Sequence, residues 1–209
     1  DRSVSRGLGD VYKRQVKEVC EMNNVDCQTF LVVVNFMAEG FSRMDGSADD
    51  ISIPALVDYL RQAHIYFLDY CLPAIRRKLI EAIDCSQDDV SFLILKFFDG
   101  YMREVRKHME YEEKTVFKYV DTLIHGNAPK NYQISTFSKH HDQVGERLTE
   151  LKNIIIKYCP AKANTNVLNA ALFDIYACEE GLESHCKVED YLFVPAILKL
   201  ERRMRENEK

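Results

Sequence analysis

Apolar residues recur in steps of three and four along most of the chain, which is the period of an amphipathic α-helix. Four long stretches follow this period, and each is expected to turn one stripe toward a common core. The stripes comprise Val57, Leu60, His64, Phe67, Cys71, Ile75 and Leu79; Ile94, Phe98, Tyr101, Val105, His108, Glu112 and Thr115; Ile134, Phe137, His141, Val144, Leu148, Leu151, Ile155 and Tyr158; and Leu168, Ala171, Ile175, Cys178, Leu182, His185, Glu189, Leu192 and Ala196.

The breaks between the four stretches are short and lie at residues 84–89, 125–130 and 159–165. Connections of this length place neighbouring helices antiparallel. The pattern therefore predicts an all-α protein, an up-down-up-down four-helix bundle. Ser52 followed by Pro54 predicts the start of the first helix. Pro73 and Pro195 lie inside helical patterns and should kink or locally open them.

The residues before the bundle are expected to form separate segments. The pattern predicts a small helical segment at 16–45, with two short helices and Asp26 as the cap of the second. A stretch rich in Ser, Asp and Gly at 42–50 predicts a linker, and the bundle domain should span 52–205. Residues 1–15 show no hydrophobic period and lack an initiator methionine, so we interpret them as a non-native leader.

Composition supports helices and excludes some partners. The 209 residues include only 8 glycines and 5 prolines, few for a protein of many strands and tight turns. The net charge is −5 and there is no Lys/Arg tract, so we expect neither nucleic acid nor a membrane surface as a partner. The seven cysteines are scattered without a C-x-x-C motif, which favours free thiols and a cytoplasmic location.

Candidate chemistry lies in four of the six histidines, one on each predicted helix. In two places a glutamate follows a histidine by four residues, which puts both side chains on one helical face. The arrangement is also duplicated, because a shift of 77 residues superimposes one triplet on the other. The two triplets are His64, His108 and Glu112, and His141, His185 and Glu189.

Glu112 and Glu189 stand on inward stripes, where a buried unpaired charge would be costly. The nearby lysines, Lys107, Lys139 and Lys187, fall on other faces. A cationic metal centre is the economical explanation, although any one of these histidines alone would be read as a core residue. Six donors exceed the four of a closed zinc site, which suggests two ions with two histidines each and bridging glutamates. Imidazole and carboxylate suit iron, whereas affinity alone favours copper or zinc.

The neighbours of these residues receive other roles. We prefer His141 to His140 as the ligand because the stripe places His141 inward and His140 about 100° away. His125 lies in a predicted turn and should be solvated. Glu113 and Asp142 are interpreted as surface residues. Four tyrosines are candidates for hydrogen bonds to the ligand histidines, namely Tyr66, Tyr101, Tyr111 and Tyr191.

Two His-x-x-x-Glu pairs, with one histidine on each preceding helix, resemble the hemerythrin-like domain. Over residues 52–202 the chain is most similar to the bacterial iron–sulfur-cluster repair di-iron proteins of the RIC or ScdA type. Residues 16–37 resemble the N-terminal segment of that family without its adjacent cysteine pair. Oxygen-carrying hemerythrins use five histidines and an aspartate, whereas this chain has four and Glu189. The phrases that carry the resemblance are 58–64 with Leu72-Pro73, His108-Met109 with Glu112-Glu113 and Phe117, His141-Asp142 with Gly145, and His185 with Glu189, Leu192-Phe193 and Pro195.

The resemblance implies two non-haem iron ions, joined by an oxo or hydroxo bridge, that help to repair iron–sulfur clusters damaged by nitric oxide or oxidative stress. It also implies O2 or NO as small ligands, and iron–sulfur proteins as clients. It assigns no catalytic residue and leaves open whether the protein is an enzyme or forms a homodimer. Two alternatives use the same site: a sensor or carrier of O2 or NO, and an iron-level sensor whose bundle folds only with metal.

Overall fold

The computed structural model describes residues 16–39, 51–83, 89–127, 132–139, 146–158 and 163–207. Every regular element in these ranges is helical, and they contain no strand. The chain divides into two compact units, Asp1–Asp58 and Tyr59–Lys209. The predicted leader and linker lie outside the described residues.

The first unit contains the two predicted short helices, α1 (Val16–Met22) and α2 (Cys27–Glu39). Asn24 adopts a left-handed φ of 54° in the turn between them. Asp26 caps α2 as predicted, since the Thr29 N–H donates to its Oδ1 at 2.8 Å. The Thr29 hydroxyl, and after it this backbone hydrogen bond, hold the pKa of the Asp26 carboxyl below its ordinary value.

The bundle consists of three long helical rods and one shorter helix. In each rod two α-helices are joined without a break by a π-helical turn. Helix A (53–82) comprises α3 (Ile53–Ile65), the turn Tyr66–Cys71 and α4 (Leu72–Ala82); helix B (89–124) comprises α5 (Asp89–Tyr111), the turn Glu112–Val116 and α6 (Phe117–Ile124); helix C is α7 (Glu146–Lys157), preceded by a 3₁₀ segment (Ile134–Lys139); helix D (165–207) comprises α8 (Thr165–Val188), the turn Glu189–Phe193 and α9 (Val194–Asn207).

Polar contacts between helices A and D show that they run antiparallel. The Asn164 N–H donates to the Ala82 carbonyl at 2.8 Å, where helix A ends and helix D begins. Further along, Lys78 pairs with Asp174. Asn164 also caps helix D, since its side-chain oxygen accepts from the Val167 N–H at 3.4 Å.

Helices B and C complete the predicted up-down-up-down arrangement. Arg76 of helix A donates to Asp99 of helix B at 2.6 Å, and the guanidinium lowers the pKa of that carboxyl. Arg147 of helix C pairs with Glu104 of helix B, and Lys152 with Glu179 of helix D. The four-helix bundle expected from the sequence is therefore confirmed.

The π-helical turns shift the buried stripe by one position relative to the sequence prediction. After Phe67 the next fully buried residue is Leu72 rather than Cys71, which is only partly buried. In helix D, Ile197 is buried where Ala196 was expected. A π-turn bonds each N–H to the carbonyl five residues back, so it adds one residue before the α-helical period resumes. In helix B the same shift moves burial from Thr115 to Val116.

Two of these turns account for the prolines inside helical patterns. Pro73 and Pro195 each come two residues after a π-turn ends. Proline has no N–H to bond the carbonyl four residues back, and the wider turn accommodates that loss. The local opening predicted at both prolines is confirmed.

The third predicted helix differs from its prediction. Its first part, Ile134–Lys139, is a 3₁₀ segment rather than α-helix, although Ile134 and Phe137 are buried as expected. Tyr158, predicted to face inward, is exposed because α7 ends at Lys157. Val144 lies outside the described residues.

No helix in the described ranges combines the length and the apolar character needed to cross a membrane.

A buried carboxylate ties three elements together at one end of the bundle. Glu201 of α9 is 6% exposed. It accepts a hydrogen bond from the Tyr119 hydroxyl of α6 at 2.6 Å and another from the Ile134 N–H at 2.9 Å. Glu201 thus fixes the start of the 3₁₀ segment against helices B and D.

We expect Glu201→Ala to destabilise the bundle by about 2 kcal/mol or more, because each of two buried donors would lose its acceptor at about 1–3 kcal/mol. Urea unfolding followed by helicity measures the change. Glu206→Ala, an exposed residue of the same helix, is the matched control and should shift stability by less than about 0.5 kcal/mol. Equal stability of the two variants would contradict this role.

Candidate metal centre

Four of the predicted ligands come together in the middle of the bundle. His64 of helix A, Glu112 of helix B, and His185 and Glu189 of helix D each offer a donor atom, and these atoms lie within 4.8 Å of one another. All four side chains are buried, the two glutamates completely. Three separate rods therefore converge on one polar cluster.

The other two predicted ligands stand differently. His108 lies beside the cluster, with its Nε2 2.8 Å from Oε1 of Glu112, and its side chain is 13% exposed. His141 lies outside the described residues, as does His140, so the preference between them stays a prediction.

The π-turns lie at the level of this cluster. Glu112 and Glu189 are each the first residue of such a turn, and their carbonyls accept from the N–H groups of Phe117 and Val194. The third turn begins at Tyr66, two residues after His64. Wide turns of this kind occur often at functional sites. Each His-x-x-x-Glu pair thus ends on the first residue of a π-turn, and the turn changes which of the following apolar residues face the core.

Aromatic rings enclose the cluster. The His64 ring stacks on Phe117 with centroids 5.5 Å apart and planes 13° apart, and lies 5.2 Å from the His185 ring. Phe67 packs edge-on against His185, and Phe193 packs against Phe117. These rings exclude water and lower the local dielectric constant, which strengthens electrostatic interactions among the polar groups.

The charge of Glu112 and Glu189 is felt by neighbouring groups. Burial raises the pKa of Tyr59, and the nearby Glu189 carboxylate raises it further. Burial likewise raises the pKa of the Cys186 thiol, with Glu189 and Glu112 adding to it. A group of buried carboxylates without compensating positive charge would be very unfavourable.

Glu113 lies partly at the surface, with its side chain 36% exposed, but it also contacts a predicted ligand, which its interpretation as a surface residue missed. Its Oε1 lies 3.0 Å from Nδ1 of His64, and its Oε2 accepts from Arg61 Nε at 3.3 Å. A proton held on Nδ1 leaves the Nε2 lone pair free to face the cluster. Finding this partner from sequence would have required the level at which helices A and B pair.

The four predicted tyrosine partners differ in their exposure and contacts. Tyr66 and Tyr191 are largely exposed, and the Tyr111 hydroxyl lies 3.3 Å from that of Tyr132. The Tyr101 hydroxyl is buried with no hydrogen-bond partner among the described residues. His125 is exposed as predicted, with its Nδ1 donating to the Asp121 carbonyl at 2.8 Å.

The first unit brings two separated cysteines together. Cys20 and Cys27 lie seven residues apart in sequence, yet their thiols hydrogen-bond across the turn between α1 and α2. Burial raises the pKa of Cys20. The segment therefore has a neighbouring thiol pair although its sequence has no adjacent cysteines.

The donor set fits a first-row transition metal. Imidazole nitrogens and carboxylate oxygens are ligands that such ions accept, and two carboxylates supply the negative charge that offsets a cation. A family model for the hemerythrin HHE cation-binding domain matches residues 55–197, a range that contains the whole cluster. The chain belongs to this family. No curated protein matches the chain. The buried His/Glu cluster is thus the site of an HHE domain suited to metal binding.

We expect Glu113→Ala to weaken cation binding by about 10- to 100-fold, because His64 would lose the partner that orients its ring. Competition with a chromophoric chelator for Fe²⁺ measures the affinity. Glu110→Ala is the matched control, since Glu110 lies on the same helix and pairs at the surface with Lys114 at 2.6 Å. Equal affinity of the two variants would show that Glu113 does not position His64.

Proposed function

We propose that this HHE domain holds two non-haem iron ions with His64, His108, Glu112, His141, His185 and Glu189 as ligands. The proposal is carried by one observation: two fully buried glutamates lie among imidazoles from three helices. The imidazoles are those of His64, His108 and His185. Such a group is expensive to bury without a cation, and iron is a metal that nitrogen and carboxylate oxygen donors accept.

The surroundings of Glu112 support a centre with more than one ion. Its Oε2 lies 3.0 Å from His64 Nε2, and its Oε1 lies 2.8 Å from His108 Nε2. Both oxygens therefore face imidazole nitrogens, which favours a carboxylate that binds through both. Six ligands are more than one closed tetrahedral site requires.

The residues around the cluster have roles that follow from their contacts. Glu113, held by Arg61, keeps a proton on His64 Nδ1 and so presents Nε2 to the metal site. Phe67, Phe117 and Phe193 keep water away. When bound, an iron pair supplies electron transfer and open coordination positions for a small ligand such as O2 or NO.

We infer that the physiological role is the repair of iron–sulfur clusters damaged by nitric oxide or oxidative stress. The support is the sequence resemblance of residues 52–202 to the repair di-iron proteins, with four histidines and Glu189 in place of five histidines and an aspartate. Five described cysteines are free thiols, which suits the reducing cytoplasm we propose as its location.

Protein purified from iron-rich medium is expected to contain about two iron ions per chain, the number that six ligands imply. Glu112→Ala and Glu189→Ala should each lower iron occupancy, because each removes a buried carboxylate ligand. His125→Ala is the control and should keep full occupancy. Metal analysis together with the near-ultraviolet spectrum measures all four proteins. Equal iron loss in the three variants would contradict the assignment of the site.

The iron-loaded protein should restore the activity of an iron–sulfur enzyme that nitric oxide has inactivated, and Glu189→Ala should restore much less. Recovery of enzyme activity over time is the readout. Reversible oxygen binding with no recovery would instead favour a carrier. Loss of helicity on chelation, again with no recovery, would favour an iron-level sensor.

A further inference from the structure

A pair of cysteines lies in the bundle, two helical turns from the His/Glu cluster. Cys71 follows His64 by seven residues on helix A, and Cys178 precedes His185 by seven residues on helix D. Because these helices run antiparallel, the equal spacing places the two cysteines side by side. Their thiols are hydrogen-bonded to each other.

Helices A and D approach closely between the two sites. Gly181 of helix D lies against Phe67, and a Cβ there would be 3.3 Å from two ring carbons. The absence of a side chain at Gly181 thus makes room for the Phe67 ring one turn from Cys178, so that the two helices pack closely beside the thiols.

The surroundings of the two thiols differ. Cys178 is 2% exposed, whereas Cys71 is only partly buried. Cys71 also accepts a hydrogen bond from Tyr66, because the π-turn Tyr66–Cys71 brings together positions five apart that an α-helix would separate by about 140°. The hydrogen bond from Cys178 lowers the pKa of Cys71, with the Tyr66 hydroxyl adding to the effect. Hydrogen bonding to Cys71 and burial both raise the pKa of Cys178.

The buried hydroxyl of Tyr101 lies at the level of the two cysteines. Tyr101 precedes His108 by seven residues, is 1% exposed, and its hydroxyl has no hydrogen-bond partner among the described residues. Burial raises its pKa, and Cys178 contributes most among the neighbouring groups that raise it further. Tyr101 therefore offers an unused donor beside the thiol pair.

We propose that Cys71 and Cys178 form a peroxide-reactive dithiol, in which Cys71 is oxidised first and Cys178 then closes an interhelical disulfide. The Cys71 thiolate attacks one peroxide oxygen, so that an S–O bond forms, the O–O bond breaks, and the departing hydroxide takes a proton to become water. The Cys178 sulfur then attacks the Cys71 sulfur, so that the S–S bond forms and the S–O bond breaks with release of a second water. The two sulfurs lose two electrons in total and hydrogen peroxide gains them.

The difference in exposure assigns the order of the two steps. A partly exposed thiolate reacts with peroxide, whereas a buried thiol is inert until a neighbouring sulfenic acid presents itself. Cys186 lies on the same helix as Cys178, but next to His185 and level with the His/Glu cluster. Cys186 therefore serves as the control cysteine.

The test treats the purified full-length protein with equimolar hydrogen peroxide, blocks remaining thiols, and maps disulfides by mass spectrometry after trypsin. A sample containing catalase serves as the untreated reference. We expect the peptide 62–76 linked to the peptide 163–187, with the mass of the protein lowered by about 2 Da for each disulfide formed. Peptide 163–187 contains both Cys178 and Cys186, so Cys186→Ser should keep the link and Cys178→Ser should abolish it.

The variants also test which of the two cysteines is oxidised first. In Cys178→Ser, Cys71 should accumulate as a sulfenic acid that dimedone traps, whereas in Cys71→Ser, Cys178 should stay reduced. Fragment ions that separate Cys178 from Cys186 in the linked wild-type peptide decide the matter even if a variant fails to fold. Recovery of both Cys71 and Cys178 as blocked thiols after peroxide treatment would overturn the proposal, as would a link that persists in Cys178→Ser.

Discussion

Two carboxylates that no water reaches, Glu112 and Glu189, are the constraint on which the bundle's interior depends. Neither can be charged there without compensation, and neither can be neutral without giving up its role as a strong ligand. The imidazoles on helices A, B and D face these carboxylates and answer this constraint, whereas the phenylalanine rings that exclude water make it stricter. A single cluster therefore determines which faces of three helices meet.

The wide turns are the local adjustment that the cluster requires. The histidines and glutamates of the cluster must face inward. The apolar residues that follow them in each rod must also face inward. A straight α-helix with these sequences would place Cys71, Thr115 and Ala196 in the core. With a π-turn in each rod, Leu72, Val116 and Ile197 are buried instead. Burying the larger side chains of each pair in helices A and D increases the apolar area removed from water.

Much of this arrangement could be predicted from the sequence, because the helical period and the four-residue spacing act locally. The stripes located the four helices, and they put His64, Glu112, His185 and Glu189 on facing surfaces. The one-residue shifts could not be predicted, since nothing in the hydrophobic period distinguishes Cys71 from Leu72 as a core position. The contact between Glu113 and His64 depends on the axial level at which two helices pair, and local pattern does not carry that information. The same reason hid the thiol pair Cys71 and Cys178, which only antiparallel packing brings together.

The π-turns also determine where a residue could be deleted from a rod without moving core residues out of the core. Each turn holds one residue more than an uninterrupted α-helix would need to keep both of its halves in phase with the core. Removal of one solvent-facing residue from such a turn, for example Lys114 of helix B, would leave a plain α-helix whose two halves still face inward. Removal of one residue anywhere else in the rod would rotate everything beyond it by about 100°. In the interior of each rod, the π-turn is therefore the place where a residue can be lost while both halves stay in phase with the core.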